Sequence, residues 1–369
     1  MKLYTLRETL LNPLQTVIGV VERKQTVPIL SHVLLSVKGG RLSFTGTDTE
    51  IELIGQSDLE QAPEKDSMIT LPGRKLIDIC KALPEAAPIE LYIEKNRAVL
   101  TSGQSRFVLS TLPANEFPDS EIQEAQVSIK IAQKDLKNLL QSTYFAIAQQ
   151  DARFYLNGLL LEFQNGTLRA VATDGHRLAT SLVEAPIHLD QKVQVIVPRK
   201  GVLELLRLLQ EDDSVLALTV SSNHIRVSGA DFSFTSKLIE SRFPDYTRVI
   251  PKKGKYTVEL DRGELKQALS RASVLCNDKF HGIRFEFRQN LLKIIANNPE
   301  QETAEEEITI DYQGDDIDIG FNISYLIDVL NVLKQNKVRL TFSESDGSIR
   351  IEEAESTQES IFVVMPMRL

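Results

Sequence analysis

The chain has no tryptophan and only two cysteines, five histidines and four methionines in 369 residues. With no tryptophan and aromatics at 6%, a platform for stacking single-stranded bases is poorly supplied. Cys80 and Cys276 lie far apart and belong to no CxxC or Cys/His spacing. That pattern excludes a disulfide framework and a zinc site and fits a reducing compartment. No run of ~18 apolar residues could span a bilayer, and MKLYTLRETL lacks the basic-then-apolar plan of a leader. Net positive charge is lacking as well: 42 Lys+Arg against 51 Asp+Glu give −9. A protein that grips nucleic acid with its whole surface needs the opposite balance, because that affinity comes from Lys and Arg neutralising phosphates. No GxxxxGK[ST] loop is present, so an intrinsic ATPase is disfavoured. The expectation is a soluble, cytoplasmic protein without cofactor, metal or membrane contact, and with a local basic surface at most.

What the chain does have is length and repetition. Its 369 residues exceed one ordinary domain, and one pattern occurs three times. GGRLSFTGTD (39–48), NGTLRAVATD (165–174) and QNLLKIIANN (289–298) each read as a turn, an alternating strand and a polar pair. At matching offsets stand three apolar stripes: Leu76/Ile79/Cys80/Leu83, Val202/Leu205/Leu206/Leu209 and Leu326/Val329/Leu330/Leu333. Their i, i+3, i+4, i+7 spacing predicts amphipathic helices lying on sheets. A second helix is predicted to open each copy, over 6–19, 132–148 and 261–276. Short alternating segments such as IELYI, VQVIV and VRLTFS predict antiparallel sheets with one solvated face. Linkers fall near 120–127 and 250–255, which gives three α+β domains, 1–124, 125–251 and 252–369.

The most chemical-looking stretch is Asp174-Gly175-His176-Arg177, between two apolar strands. Catalysis by His176 would need a nucleophile and a group orienting its ring, and the local sequence offers only Thr173 and Asp174. A turn explains the same residues, with Asp bonding backbone amides and Gly taking positive φ. The other copies carry TDTE and NNPE here, so the Asp or Asn recurs and the His does not. A hydrolase using Asp174 and His176 and a purely protein-binding scaffold are the rival readings. The apolar end of the chain, VVMPMRL (363–369), is either a buried strand or an adaptable binding groove.

YLNGLLLE, VATDGHRLA, VPRKG, FTSKL followed by RFPDY, ANNPEQE, GFNISYLIDVL and VVMPMRL together resemble the bacterial replicative sliding clamps, the beta-subunit family of DNA polymerase III. The resemblance implies three similar domains per chain and two chains closed head to tail into a ring, with twelve helices around duplex DNA that is not read. It implies no catalysis. It also implies a clamp loader, the polymerase III alpha subunit and other proteins with clamp-binding peptides as partners. On the same ground DNA contact is expected at Lys24, Arg74, Gln150, Arg153, Tyr155 and Lys200. Ring closure is expected to pack Phe107 and Leu109 on Val274 and Leu275, with Lys75, Arg97 and Arg106 facing Glu300, Glu302, Glu305 and Glu306. Gln104 and Thr303 depart from that pattern, each removing a possible ion pair. Short peptides with a Gln and a Leu-Phe end are expected in a pocket of Leu156, Thr173, Gly175, His176, Arg177, Leu178, Pro244, Arg248, Val249, Val363 and Met365. A shallower groove would add Tyr155, Phe280, Asn322, Tyr325, Ser348, Pro366, Met367 and Arg368, with Asp346 departing from an apolar lining.

Overall fold

The computed structural model describes residues 2–21, 27–61, 65–94, 96–120, 124–251, 254–276, 281–343, 347–355 and 359–368. Lys24 and Phe280 of the expected sites lie outside the described residues, as do Asp346, Leu369 and parts of both expected linkers (121–123 and 252–253).

By contact the chain forms two units, Met1–Lys134 with Leu203–Leu238, and Asp135–Val202 with Ile239–Leu369. The first holds a four-stranded sheet in the order β1 (Lys2–Leu6), β6 (Pro88–Glu94), β7 (Arg97–Ser102), β8 (Ser105–Ser110). It also holds an eight-stranded sheet: β5 (Ser67–Pro72), β2 (His32–Lys38), β3 (Arg41–Thr47), β4 (Ile51–Asp58), β16 (Phe232–Lys237), β15 (His224–Ser228), β14 (Val215–Val220), β9 (Val127–Ala132). Its own helices are α1 (Arg7–Val17) and α2 (Gly73–Ala82).

The second unit repeats the plan. Its eight-stranded sheet runs β13 (Val193–Pro198), β10 (Gly158–Gln164), β11 (Thr167–Thr173), β12 (Arg177–Glu184), β24 (Ser360–Val364), β23 (Ile349–Glu353), β22 (Lys337–Phe342), β17 (Tyr256–Asp261). Its four-stranded sheet runs β20 (Thr303–Thr309), β19 (Leu291–Asn297), β18 (Gly282–Arg288), β21 (Ile317–Asn322). Helices α3 (Gln133–Gln141) and α4 (Arg199–Leu208) carry the chain between the units, and α5 (Arg262–Ala272) and α6 (Ile323–Val332) belong to the second. Among the described residues each of the three copies thus has two α-helices and antiparallel strands, and the middle copy lends strands to both eight-stranded sheets.

The periodicities explain the elements. In β9 every second residue is buried, Val127, Ile129 and Ile131, the alternation of a half-solvated sheet. The three stripes are buried as expected except Ile79 and Leu206, which stay half-exposed while Ile77 turns in. The opening helices are shorter than the apolar pattern predicts. Beyond α3, Ser142 Oγ and Thr143 Oγ1 donate to the Asn138 and Leu139 carbonyls (2.7 and 2.9 Å), and the chain then tightens into a 3₁₀ turn at Tyr144–Ala146. Hydroxyls that bond back to the helix compete with its continuation. Ser273 does the same beyond α5, donating to the Ser270 carbonyl before the 3₁₀ turn Ser273–Leu275. Past these ends Ala146 and Cys276 still face the core without being helical, whereas Val274 does not.

The joints within the eight-stranded sheets follow one rule. β4 of the first copy pairs with β16 of the second, and β12 of the second pairs with β24 of the third. The counterparts left over are β20 and β8, each the edge strand of its four-stranded sheet.

Candidate functional site

The Thr173–Leu178 segment is a turn built by side chains. Asp174 Oδ1 accepts the amides of His176 and Arg177 (2.9 and 3.0 Å), and Thr173 Oγ1 accepts from Gly175 N–H and donates to the Arg177 carbonyl. Gly175 has φ +88°, and a Cβ there would lie 3.0 Å from Arg153 Nη2. The first copy makes the same turn, with Asp48 Oδ1 accepting from Glu50 and Ile51 and Thr47 Oγ1 donating to the Ile51 carbonyl. In the third, Asn298 Oδ1 accepts the amide of Glu302. The recurring Asp or Asn is architectural. Asp174 Oδ2 takes Arg177 Nε at 3.1 Å, so this carboxylate serves the turn and Arg177 and does not orient a catalytic imidazole.

Arg177 is tied down on every edge. Besides Asp174, it donates through Nη1 to Asp328 and through Nη2 to the Phe145 carbonyl (2.8 Å), and its guanidinium lies 4.4 Å from the Tyr325 ring centre. His176 reaches outward: its carbonyl accepts Met365 N–H (2.8 Å), and its ring lies at 22° to that of Tyr325, 6.4 Å away.

Beside the turn lies a cleft of about 200 Å³, mostly apolar in its lining. Its walls are Tyr155 and Leu156 from the 3₁₀ turn before β10, Thr173, Gly175, Arg177 and Leu178 from the turn into β12, and Val363 and Met365 at the chain end. Pro244, Asp245, Tyr246 and Val249 close it, with Arg153 at one side. Of the expected deep-pocket residues, only His176 and Arg248 are not part of this lining. His176 faces Tyr325, and Arg248 turns to Asp245 (2.9 Å) with its side chain exposed. Sequence reasoning missed Asp245 and Tyr246, although the recurrence of Phe-Pro-Asp at 117–119 and 243–245 marks the segment.

Tyr246 donates weakly to buried Glu162 (3.5 Å), which also accepts from Lys192 and Gln194. Burial, with the Glu162 charge adding to it, pushes the Tyr246 phenol up to about 12. A folded-state value above the unfolded one contributes stability that is complete below pH ~10 and is lost as pH rises towards 12. Spectrophotometric titration of the eight tyrosines is expected to show a late step that Tyr246→Phe removes. If the late step persists in that variant, burial at Tyr246 is not its source.

Among the residues of the expected shallower groove, Tyr155 lines the cleft and Tyr325 lies against the Arg177 guanidinium. Asn322 uses its side-chain oxygen to cap α6 at Ser324 and Tyr325, Met367 N–H bonds the Gly320 carbonyl, and Ser348 precedes β23. Pro366 and Met367 are half-buried, and Arg368 is exposed.

Among the expected DNA contacts, Gln150, Arg153 and Tyr155 share one segment, with Gln150 exposed at φ +55°. Arg153 is braced on Asp151 by two bonds (3.0 and 2.8 Å), which hold the Asp151 carboxyl down at about 2. Arg74 donates to the Val21 carbonyl, and Lys200 is exposed on α4. Arg207 on α4, though exposed, is held in place. It donates to the Gln15 and Thr16 carbonyls at the end of α1 and to Glu204, a cation satisfying orphan helix carbonyls.

Several of the expected closure residues sit on the edge strands β8 and β20. Arg106, Phe107 and Leu109 lie on β8, and Glu305 and Glu306 on β20, with Glu302 just before it and Glu300 in the preceding turn. Val274 is 78% exposed and Leu275 half-buried, whereas Leu109 is already 6% exposed within its own sheet. Arg106 pairs with Glu94, Glu305 with Lys293 and Glu306 with Arg271. Lys75 and Arg97 are exposed.

No helix among the described residues is long and apolar enough to cross a membrane. Three family models match the chain, the N-terminal, central and C-terminal domains of the DNA polymerase III beta subunit, over residues 1–121, 130–245 and 247–368. A beta sliding clamp of Pseudomonas putida is 52% identical across 98% of both chains, and that of Escherichia coli is 48% identical across all of both. A crystal structure of the Pseudomonas aeruginosa DNA polymerase III subunit beta superposes with a TM-score of 0.97 at 51% identity, covering both chains fully. The same degree of likeness holds for a sliding clamp of that organism bound to griselimycin. With matches along its whole length and a shared fold, the chain belongs to the DNA polymerase III beta subunit family.

Proposed function

We propose that two copies of this chain close head to tail into a ring around duplex DNA, in three clamp domains per chain at 1–124, 125–251 and 252–369. As in its family, it is a non-catalytic processivity factor in DNA replication. The single observation that carries the ring is the pair of unmatched edges: β20 and β8 are the counterparts of strands that are paired at both internal joints. Supporting this, Phe107 matches Phe234 and Phe362 of the joint strands. Each faces an apolar residue one strand in (Leu100, Val227, Ile351), which faces Leu91, Leu218 or Leu340 beyond. Phe234 and Phe362 are 0% and 1% exposed, while Phe107 is only half-buried. Carried over in register, Phe107 falls opposite the partner's Ala304 and Arg106 opposite the partner's Glu305. A head-to-tail contact whose rotation closes pairs both of these edges in each chain and gives a closed ring.

The apolar cleft then takes the peptide ends of the polymerase alpha subunit, the clamp loader and other replication proteins, with the Leu-Phe end between Leu178, Tyr246, Val249 and Val363. Lys24, Arg74, Gln150, Arg153, Tyr155 and Lys200 contact the duplex through its phosphates, without reading bases. The site of action is the cytoplasm. Protein loaded on a nicked circle is expected to stay and to leave within seconds to minutes once the circle is cut. Equal residence on circular and linear DNA, measured by gel filtration of labelled protein, would exclude topological binding.

A further inference from the structure

Asp328 lies on α6 one turn beyond Tyr325 and is not part of the cleft lining. The i, i+3 spacing puts both on one helix face, and that face meets Arg177. Asp328 Oδ2 accepts Arg177 Nη1 at 2.5 Å, and the Tyr325 ring lies under the guanidinium. Arg177 is a lining residue with a side chain only 12% exposed. Its planar fork fixes the direction of every donor, and three partners take them: Asp174 Oδ2, the Phe145 carbonyl and Asp328.

We propose that Asp328 is a positioning residue of the peptide cleft: by anchoring Arg177 to α6 it fixes the Arg177-Leu178 wall and holds the His176 ring against Tyr325. This rests on the reading of the cleft as the seat of a partner peptide. Without Asp328 one end of the fork has no carboxylate. A nearly buried guanidinium left short of a partner is costly, and it relieves the deficit by swinging towards water through the open cleft, where an apolar peptide end would sit. The arrangement is particular to this place. At the matching turn of the first copy the residue is Ile51, and the matching acid on α4, Glu204, pairs with Arg207 three residues along its own helix.

The test is calorimetric titration of the full-length protein with a synthetic peptide ending in Leu-Phe. Asp328→Ala is expected to weaken binding ten- to a hundredfold, and Asp328→Glu to recover most of the loss. In an Arg177→Met background, Asp328→Ala is expected to add nothing, because its effect passes through Arg177; a general structural defect would multiply instead. Val249→Asp, at an exposed wall of the cleft, is the control. If Val249→Asp abolishes binding while Asp328→Ala stays within twofold of the parent, the positioning role is overturned and the cleft stands. Independent, multiplying losses in the double variant overturn it equally. If Val249→Asp binds unchanged, the cleft reading itself fails and the proposal with it. Should Asp328→Ala not fold, Asp328→Asn, of the same shape without the charge, enters the same comparisons.

Discussion

Removing Met365 to Leu369 is expected to abolish binding of a Leu-Phe peptide while leaving the chain folded and dimeric. The deletion takes away the Met365 wall of the cleft and the half-buried Pro366 and Met367 beside it. It spares β24, whose ladder to β12 ends at Val364 opposite Arg177, so the sheet keeps its order. Two backbone bonds go with the segment, Met365 N–H to the His176 carbonyl and Met367 N–H to the Gly320 carbonyl. At about 1 kcal/mol each, their loss lowers the melting temperature by several degrees without unfolding the protein. Binding suffers more. Two large apolar groups leaving water contribute up to ~1.5–3 kcal/mol apiece, and a cleft open on the Met365 side returns much of that surface to solvent. A drop in affinity of a hundredfold or more follows. Calorimetry decides it: unchanged affinity in a truncated protein with parental circular dichroism would exclude the cleft and reopen the question of what His176 does.

The threefold plan was legible in the sequence because it is carried by repeated local signals. The Asp or Asn turns at 48, 174 and 298 and the apolar stripes of α2, α4 and α6 each depend on residues within a dozen positions of one another. What the sequence withheld depends on distant partners. Arg177 enters the pocket in the sequence only through the family resemblance, and only the approach of Asp328 and Phe145, far away in the chain, reveals it as a tie between elements. Arg207 looks like a basic residue on a solvated face, yet the end of α1 consumes its donors. Tyr246 has no periodic signature at all, since it sits in a short 3₁₀ turn outside any strand or helix. The failure at the ends of the opening helices was of another kind. Apolar spacing persists through Tyr144–Ala146 and Ser273–Leu275, but hydroxyls at 142, 143 and 273 bond the preceding carbonyls, and hydrophobic pattern alone does not register that competition.

The larger loss is expected at the ring seam, where Val274→Asp should turn the dimer into folded monomers. Val274 falls as far beyond the start of α5 as Phe145 does beyond the start of α3, and Phe145 stacks on Phe362 at 6.1 Å. Since Phe107 corresponds to Phe362, the seam is expected to set Val274 over the partner's Phe107, which accounts for an aliphatic side chain 78% exposed in the single chain. The charges nearby contribute little by comparison. Arg106, Glu305 and Glu306 already have partners within their own chain, so new pairs across the seam only replace old ones, and exposed pairs are worth ~0–1 kcal/mol. A carboxylate buried against Phe107 without a cation costs several kcal/mol. A closed ring holds two identical seams, so a loss of ~3 kcal/mol at each becomes ~6 kcal/mol for the dimer, on the order of a ten-thousandfold weakening. Raising salt to about 0.5 M, which screens exposed charges, should shift the dimer less than tenfold. Sedimentation velocity at low protein concentration separates the two contributions: a dimer that withstands Val274→Asp but falls apart in salt would place the closing energy in the ion pairs, and the apolar seam would be wrong.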